Sequence, residues 1–130
     1  MTKPEKGTPI LVITRSKFDP KNKRDYLEVA EQTCQALKAS EAGLIYQTCS
    51  EDPSNHEELI WSELFLNEKA LNFHLENPPF CLFLANHQLL GCEYTVEIHG
   101  EINDESIAIL NKKKLKFIIL NNKTYFNKIE

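Results

Sequence analysis

Residues 59–66, Leu-Ile-Trp-Ser-Glu-Leu-Phe-Leu, alternate so that Leu59, Trp61, Glu63 and Phe65 point one way and Ile60, Ser62, Leu64 and Leu66 the other. Both faces are largely apolar, so this strand needs cover on both sides. Asn67 then caps a helix, with Leu66 and Leu71 placed for a hydrophobic staple across the cap. On that helix Ala70, Leu71, His74 and Leu75 recur at the spacing of one face and form its inward stripe. Glu63 on the strand and His74 on the helix are thus the two ionisable groups expected to share an enclosed space.

The same periodicities divide the rest of the chain. Ile10 to Phe18 is a strand, rich in β-branched residues and apolar on both faces at its start. Asp19-Pro20 ends it and opens a helix over about residues 21–42, with Leu27, Ala30, Cys34 and Leu37 as its buried stripe and Gly43 as a left-handed cap. Leu44 to Ser50 is a second strand, joined to the third by the turn-rich residues 51–55. Asn77-Pro78-Pro79 breaks the second helix, because the residue before a proline is pushed out of helical geometry. Pro79 opens a third helix with Phe80, Phe83, Leu84, His87 and Leu90 inward and Gly91 at its end. Residues 93–102 alternate as a half-exposed strand, with Tyr94, Val96 and Ile98 on one face. A last helix covers residues 104–112, and residues 114–130 read as two short strands around Asn121-Asn122-Lys123.

Strand, helix, strand, strand, helix, strand is the α+β order of the ferredoxin-like split β-α-β fold, with its helices on one face of the sheet. The first and third strands are apolar on both faces, so the uncovered face needs a second sheet. A homodimer with sheets packed face to face is the simplest source. The expected organisation is a flexible N-terminal tail over residues 1–9, a domain over 10–102, and a helix-and-hairpin extension over 103–130.

Composition narrows the function. A chain of 130 residues supports one core, and 42% hydrophobic with 26% charged residues is a soluble globular balance. A net charge of −4 argues against a nucleic-acid partner. The basic cluster Lys112-Lys113-Lys114 with Lys116 reads as a solvated helix end. The four cysteines form no Cys-x-x-Cys pair, and no two histidines share a ligand-like spacing on one element, so no metal is expected. The first residues lack an apolar leader and no apolar run is long enough to cross a bilayer. A cytoplasmic protein without a membrane partner is the expectation.

Three segments carry a resemblance: Glu41-Ala42-Gly43-Leu44-Ile45-Tyr46, Trp61-Ser62-Glu63-Leu64-Phe65, and Ala70-Leu71-Asn72-Phe73-His74-Leu75. In order and spacing they resemble the antibiotic biosynthesis monooxygenase domain family, over about residues 10–100. The resemblance implies a dimeric α/β barrel with a small-molecule cavity between each sheet and its helices. Members of that family oxygenate quinols or anthrones without metal or flavin, degrade haem, or isomerise small metabolites. The haem-degrading branch uses a first-strand Asn where this chain has Thr14, and a third-strand Trp where it has Phe65, so haem is not the expected ligand. The segment after Gly100 is additional to the family pattern.

Oxygenation of this kind needs an apolar pocket, a base that makes the substrate an electron-rich anion, and room for oxygen. His74 titrates near neutrality and could be the base, with Glu63 orienting it or balancing its charge. Trp61, Phe65 and Tyr46 could stack on a planar ring. Thr14, Phe83 and His87 are further candidates for the cavity wall. A plainer role is open to the pair: His74 as a satisfied core group, and Glu63 bonded to the helix start at residues 67–70. His56 and His99 read as surface residues, and Arg15 as the partner of an acidic neighbour. The leading expectation is a cofactor-independent monooxygenase acting on a small quinol-like, anthrone-like or enolisable metabolite and molecular oxygen. The alternatives are an isomerase of the same fold, or a non-catalytic dimer that binds a small ligand or a protein partner.

Overall fold

Five strands form one mixed sheet in the computed structural model, which describes residues 7–89 and 92–128. The strands are β1 (Ile10–Lys17), β2 (Leu44–Ser50), β3 (Glu58–Phe65), β4 (Glu93–His99) and β5 (Phe117–Leu120). Their order across the sheet is β2-β3-β1-β4-β5, antiparallel except for the parallel β4–β5 pair. The helices are α1 (Lys23–Ser40), α2 (Glu68–Glu76), α3 (Pro78–Leu89) and α4 (Asp104–Lys112). The expected ferredoxin-like α+β arrangement is what the chain adopts. No helix among the described residues is long and apolar enough to cross a membrane.

β1 lies at the centre and sets the register. Ile10, Val12, Thr14 and Ser16 face the helices, paired across β3 with Phe65, Glu63, Trp61 and Leu59. All four of those β3 side chains are buried, as the alternation requires. The opposite face carries Leu11, Ile13, Ile60 and Leu64, half-buried and, among the described residues, covered by no helix. On its polar end Arg15 lies 3.8 Å from Glu58 and 3.7 Å from Glu97.

Three expectations are corrected. The buried face of α1 is Tyr26, Ala30 and Leu37, whereas Leu27 is 40% exposed. The helix begins after a single 3-10 turn at Pro20–Asn22, capped by the Asp19 carboxylate, and its first inward residue is Tyr26, four before Ala30, rather than Leu27, three before it. Gly43 is not a left-handed cap: α1 stops at Ser40, and Gly43 does not have a positive φ. Its lack of a side chain serves another end, since a Cβ there would collide with the Cβ of Ala70 on α2. Finally, the C-terminal segment forms one strand rather than a hairpin, and residues 121–128 are not in a strand. α4 acts as a crossover that returns the chain parallel to β4. The assignments of Leu90 and Gly91 lie outside the described residues.

α4 is tied to α2 by polar contacts. Glu68 accepts from the backbone N–H of Asn103 at 2.9 and 3.0 Å and lies 2.8 Å from the Ser106 hydroxyl. The interior divides into two apolar clusters, one around Val12, Phe65, Leu71 and Val96, the other around Tyr26, Trp61 and Phe83. The seam between them holds the candidate site.

Candidate active site

α2 delivers His74. The Asn67 side chain accepts from Ala70 N at 2.9 Å and fixes where the helix starts. Leu71 and Leu75, both buried, hold its inner face on the sheet, each contributing about 1.5–3 kcal/mol by burial. His74 follows one turn after Ala70 and is 2% exposed.

The imidazole sits between two carboxylates. Its Nδ1–H donates to both oxygens of Glu41, at 2.9 and 3.0 Å, and its Nε2 lies 3.5 Å from Glu63 Oε2. Asn77 Nδ2 donates to Glu41 at 2.9 Å, and Gln47 Nε2 to Glu63 at 2.8 Å. Burial would lower the His74 pKa, but the charge of Glu63, then the hydrogen bond and charge of Glu41, outweigh it. The net direction is upward, which favours the imidazolium near neutral pH. Two carboxylates and one imidazolium leave this array one negative charge.

Glu63 opens onto a cavity of about 70 Å³ at the seam of the two clusters. Trp61, Phe65, Phe83 and Val96 supply apolar wall, and Thr14, Tyr94 and His87 also line it. An apolar protein cavity that takes up benzene measures about 150 Å³, so a ring enters this one only if lining side chains yield. Fused multi-ring compounds are out of scale with it.

His87 lines the cavity but has no ring nitrogen to offer. Its Nδ1–H donates to Phe83 O at 3.2 Å, and its Nε2 accepts from the Tyr26 hydroxyl at 2.9 Å. The Tyr26 oxygen in turn accepts from Trp61 Nε1 at 2.7 Å. Burial pushes the His87 pKa down and the Tyr26 pKa up, so both are neutral. This network is satisfied and structural.

The other sequence candidates separate. Thr14, Trp61, Phe65 and Phe83 come together with Glu63 and His74 around the cavity. Tyr46 does not: it pairs with Leu64 on the opposite face of the sheet and is 61% exposed. The cause is a β-bulge between Leu44 and Tyr46, which shifts the alternation so that Gln47 faces inward beside Glu63. His56 is exposed beside Glu51. His99 is half-buried rather than on an exposed surface, and its Nε2 is enclosed with no hydrogen-bond partner among the described residues. No group of three or more potential metal ligands occurs among the described residues.

Sequence reasoning missed Glu41, Gln47, Asn77 and Tyr26. Glu41 did leave a signal. A carboxylate at a helix C-terminus opposes the helix dipole and calls for a cation nearby, and His74 is that cation.

No protein-family model matches the chain, and no curated protein does. Solved structures do. One is a provisionally named antibiotic biosynthesis monooxygenase from Caulobacter crescentus, at 17% identity and TM-score 0.68, covering 75% of this chain and 92% of that one. A second of the same provisional name, from Deinococcus radiodurans, has 16% identity and TM-score 0.65, covering 72% and 93%. A conserved protein from Methanosarcina mazei has 18% identity and TM-score 0.65, covering 72% and 93%. The chain has the fold found in structures named as antibiotic biosynthesis monooxygenases.

Proposed function

We propose that this chain is a monooxygenase for a small enolisable or quinol-like compound, with Glu63 as the base. One observation carries the reading: Glu63 is the only carboxylate lining the cavity among the described residues, and an imidazolium stands behind it. The roles given by the sequence are thereby exchanged. His74 spends Nδ1–H on Glu41 and is held toward its charged form, which leaves Glu63 to accept the proton while His74 balances its charge.

The chemistry closes without another reductant. A carbon acid with an activated methylene group gives one proton to Glu63 and becomes a delocalised anion. The anion reduces dioxygen and forms a C–O bond, and the proton returns from Glu63 to the terminal oxygen, giving a secondary hydroperoxide. Loss of the remaining C–H proton and cleavage of the O–O bond release water and leave a ketone, so one oxygen atom ends in the product and one in water. The substrate supplies all four electrons, and no flavin or metal takes part. Trp61, Phe65 and Phe83 exclude water from the carbanion.

The names of the similar structures support the monooxygenase class. Oxygen uptake with a panel of hydroquinones and enolisable ketones tests it. Glu63→Gln should lower turnover by about a hundred- to ten-thousand-fold, the usual worth of a general base. Unchanged turnover would remove Glu63 from the chemistry, and solvent-proton exchange without oxygen uptake would point to an isomerase instead. The uncovered apolar face of the sheet supports a homodimer closed sheet to sheet. Sedimentation should give twice the chain mass, falling to one chain for Leu64→Asp; a single-chain mass for the wild type would refute it.

A further inference from the structure

The hydrogen-bonding groups around the cavity are almost all committed. His87 has both nitrogens engaged, Tyr26 serves His87 and Trp61, Thr33 donates to the Val29 carbonyl, and the Gln47 amide donates to Glu63. Two residues lining the space are exceptions: Thr14 and Tyr94 carry hydroxyls that make no side-chain hydrogen bond among the described residues. Their positions follow from the register. Thr14 pairs with Trp61 while Glu63 pairs with Val12, so Thr14 is the diagonal neighbour of Glu63 across the β1–β3 ladder. Tyr94 pairs with Ser16 while Thr14 pairs with Val96, so Tyr94 is the diagonal neighbour of Thr14 across β1–β4. Each diagonal step spans about 7–8 Å. Glu63, Thr14 and Tyr94 therefore form an oblique polar line across the sheet floor, with Gln47 committed to Glu63 at its β2 end.

We propose that Thr14 and Tyr94 are the receptor for a second oxygen of the substrate, so that the site selects a compact molecule, one six-membered ring at most, with its acidic proton at Glu63 and a hydroxyl or carbonyl oxygen at the far end. This rests on the cavity being a substrate site. A hydroxyl donates and accepts, so either kind of oxygen is accommodated. The cavity of about 70 Å³ sets the size limit. A ligand lacking the second oxygen would leave both hydroxyls facing carbon, and sites built to bond a polar group reject such analogues strongly.

Binding under argon isolates recognition from turnover. Phenol, resorcinol and hydroquinone, each titrated against the full chain by heteronuclear NMR, are the probes. The expected result is that a two-oxygen ring binds at least tenfold more tightly than phenol. Thr14→Val and Tyr94→Phe, which keep shape, should each reduce that ratio, by weakening the diols and by relieving the penalty that phenol pays for leaving a hydroxyl unpaired. Equal affinity for phenol and both diols, or a preference that survives both variants, overturns the proposal while leaving the cavity as a ligand site. Failure of every probe to bind at millimolar concentration overturns the proposal and the substrate-site reading together.

Discussion

Replacing Glu41 by Gln tests the charge array without emptying space. The side chain is buried, so its charge has no access to solvent screening, and it is the hydrogen-bonded member of the pair with His74. Breaking a buried ion pair by removing one partner costs about 3–5 kcal/mol, and Glu63 remains as a second anion, which places this case near 3 kcal/mol. With an m-value of about 2 kcal/mol/M in urea, the midpoint should fall by about 1.5 M. The loss should depend on pH in a definite sense. His74 has its pKa raised by folding, so its charge contributes stability that is complete below the ordinary histidine pKa and disappears as pH rises through the folded value. The wild type therefore exceeds Glu41→Gln by most near pH 6, and the gap narrows toward pH 9. His87 is neutral in both proteins and drops out of the difference. The assay is urea unfolding followed by the fluorescence of Trp61, the single tryptophan, at fixed protein concentration. NMR titration of the His74 ring should show its pKa above the ordinary value in the wild type and lower in the variant. A loss that is independent of pH, or that widens toward alkaline pH, would refute the charged state assigned to His74.

Tyr26→Phe strands Trp61 Nε1–H in the interior and leaves His87 Nε2 only the longer Ser16 Oγ contact at 3.4 Å, and should cost about 1–3 kcal/mol in the same unfolding assay. A cost indistinguishable from zero would mean the network is not a source of stability. Asn67→Ala removes the cap on α2 and should cost about 1 kcal/mol, with faster amide exchange at Ala70 as its local signature.

The fold was legible wherever periodicity and capping agreed. Leu59, Trp61, Glu63 and Phe65 sit on one face because no bulge interrupts β3, and α2 starts where Asn67 can cap it. Alternation failed on β2, where one extra residue turned Tyr46 outward and Gln47 inward, an event that no local composition announces. On α1 Ala30 and Leu37 lie on the expected stripe, but its first member was misread, because Tyr26 and Leu27 stand four and three residues before Ala30 and helical spacing alone allows either. The segment 117–120 was recognised as a strand, but its partner was not. A strand after a helix can return parallel to its predecessor, whereas a hairpin needs a second local run, and only tertiary packing decides between them. Glu41 belonged to a contact between residues 33 apart in sequence, beyond the reach of any window.

The bare backbone at Gly43 works as a gauge block between α2 and the sheet. Glu41 lies two residues before it, and His74 one turn after the Ala70 that touches it. A methyl group wedged in at residue 43 would tilt α2 outward and stretch both carboxylate–imidazole separations, although it alters neither carboxylate nor imidazole. Gly43→Ala should thus loosen His74 from its counter-ions, and adding Ala70→Gly should restore the clearance and the pairing with it.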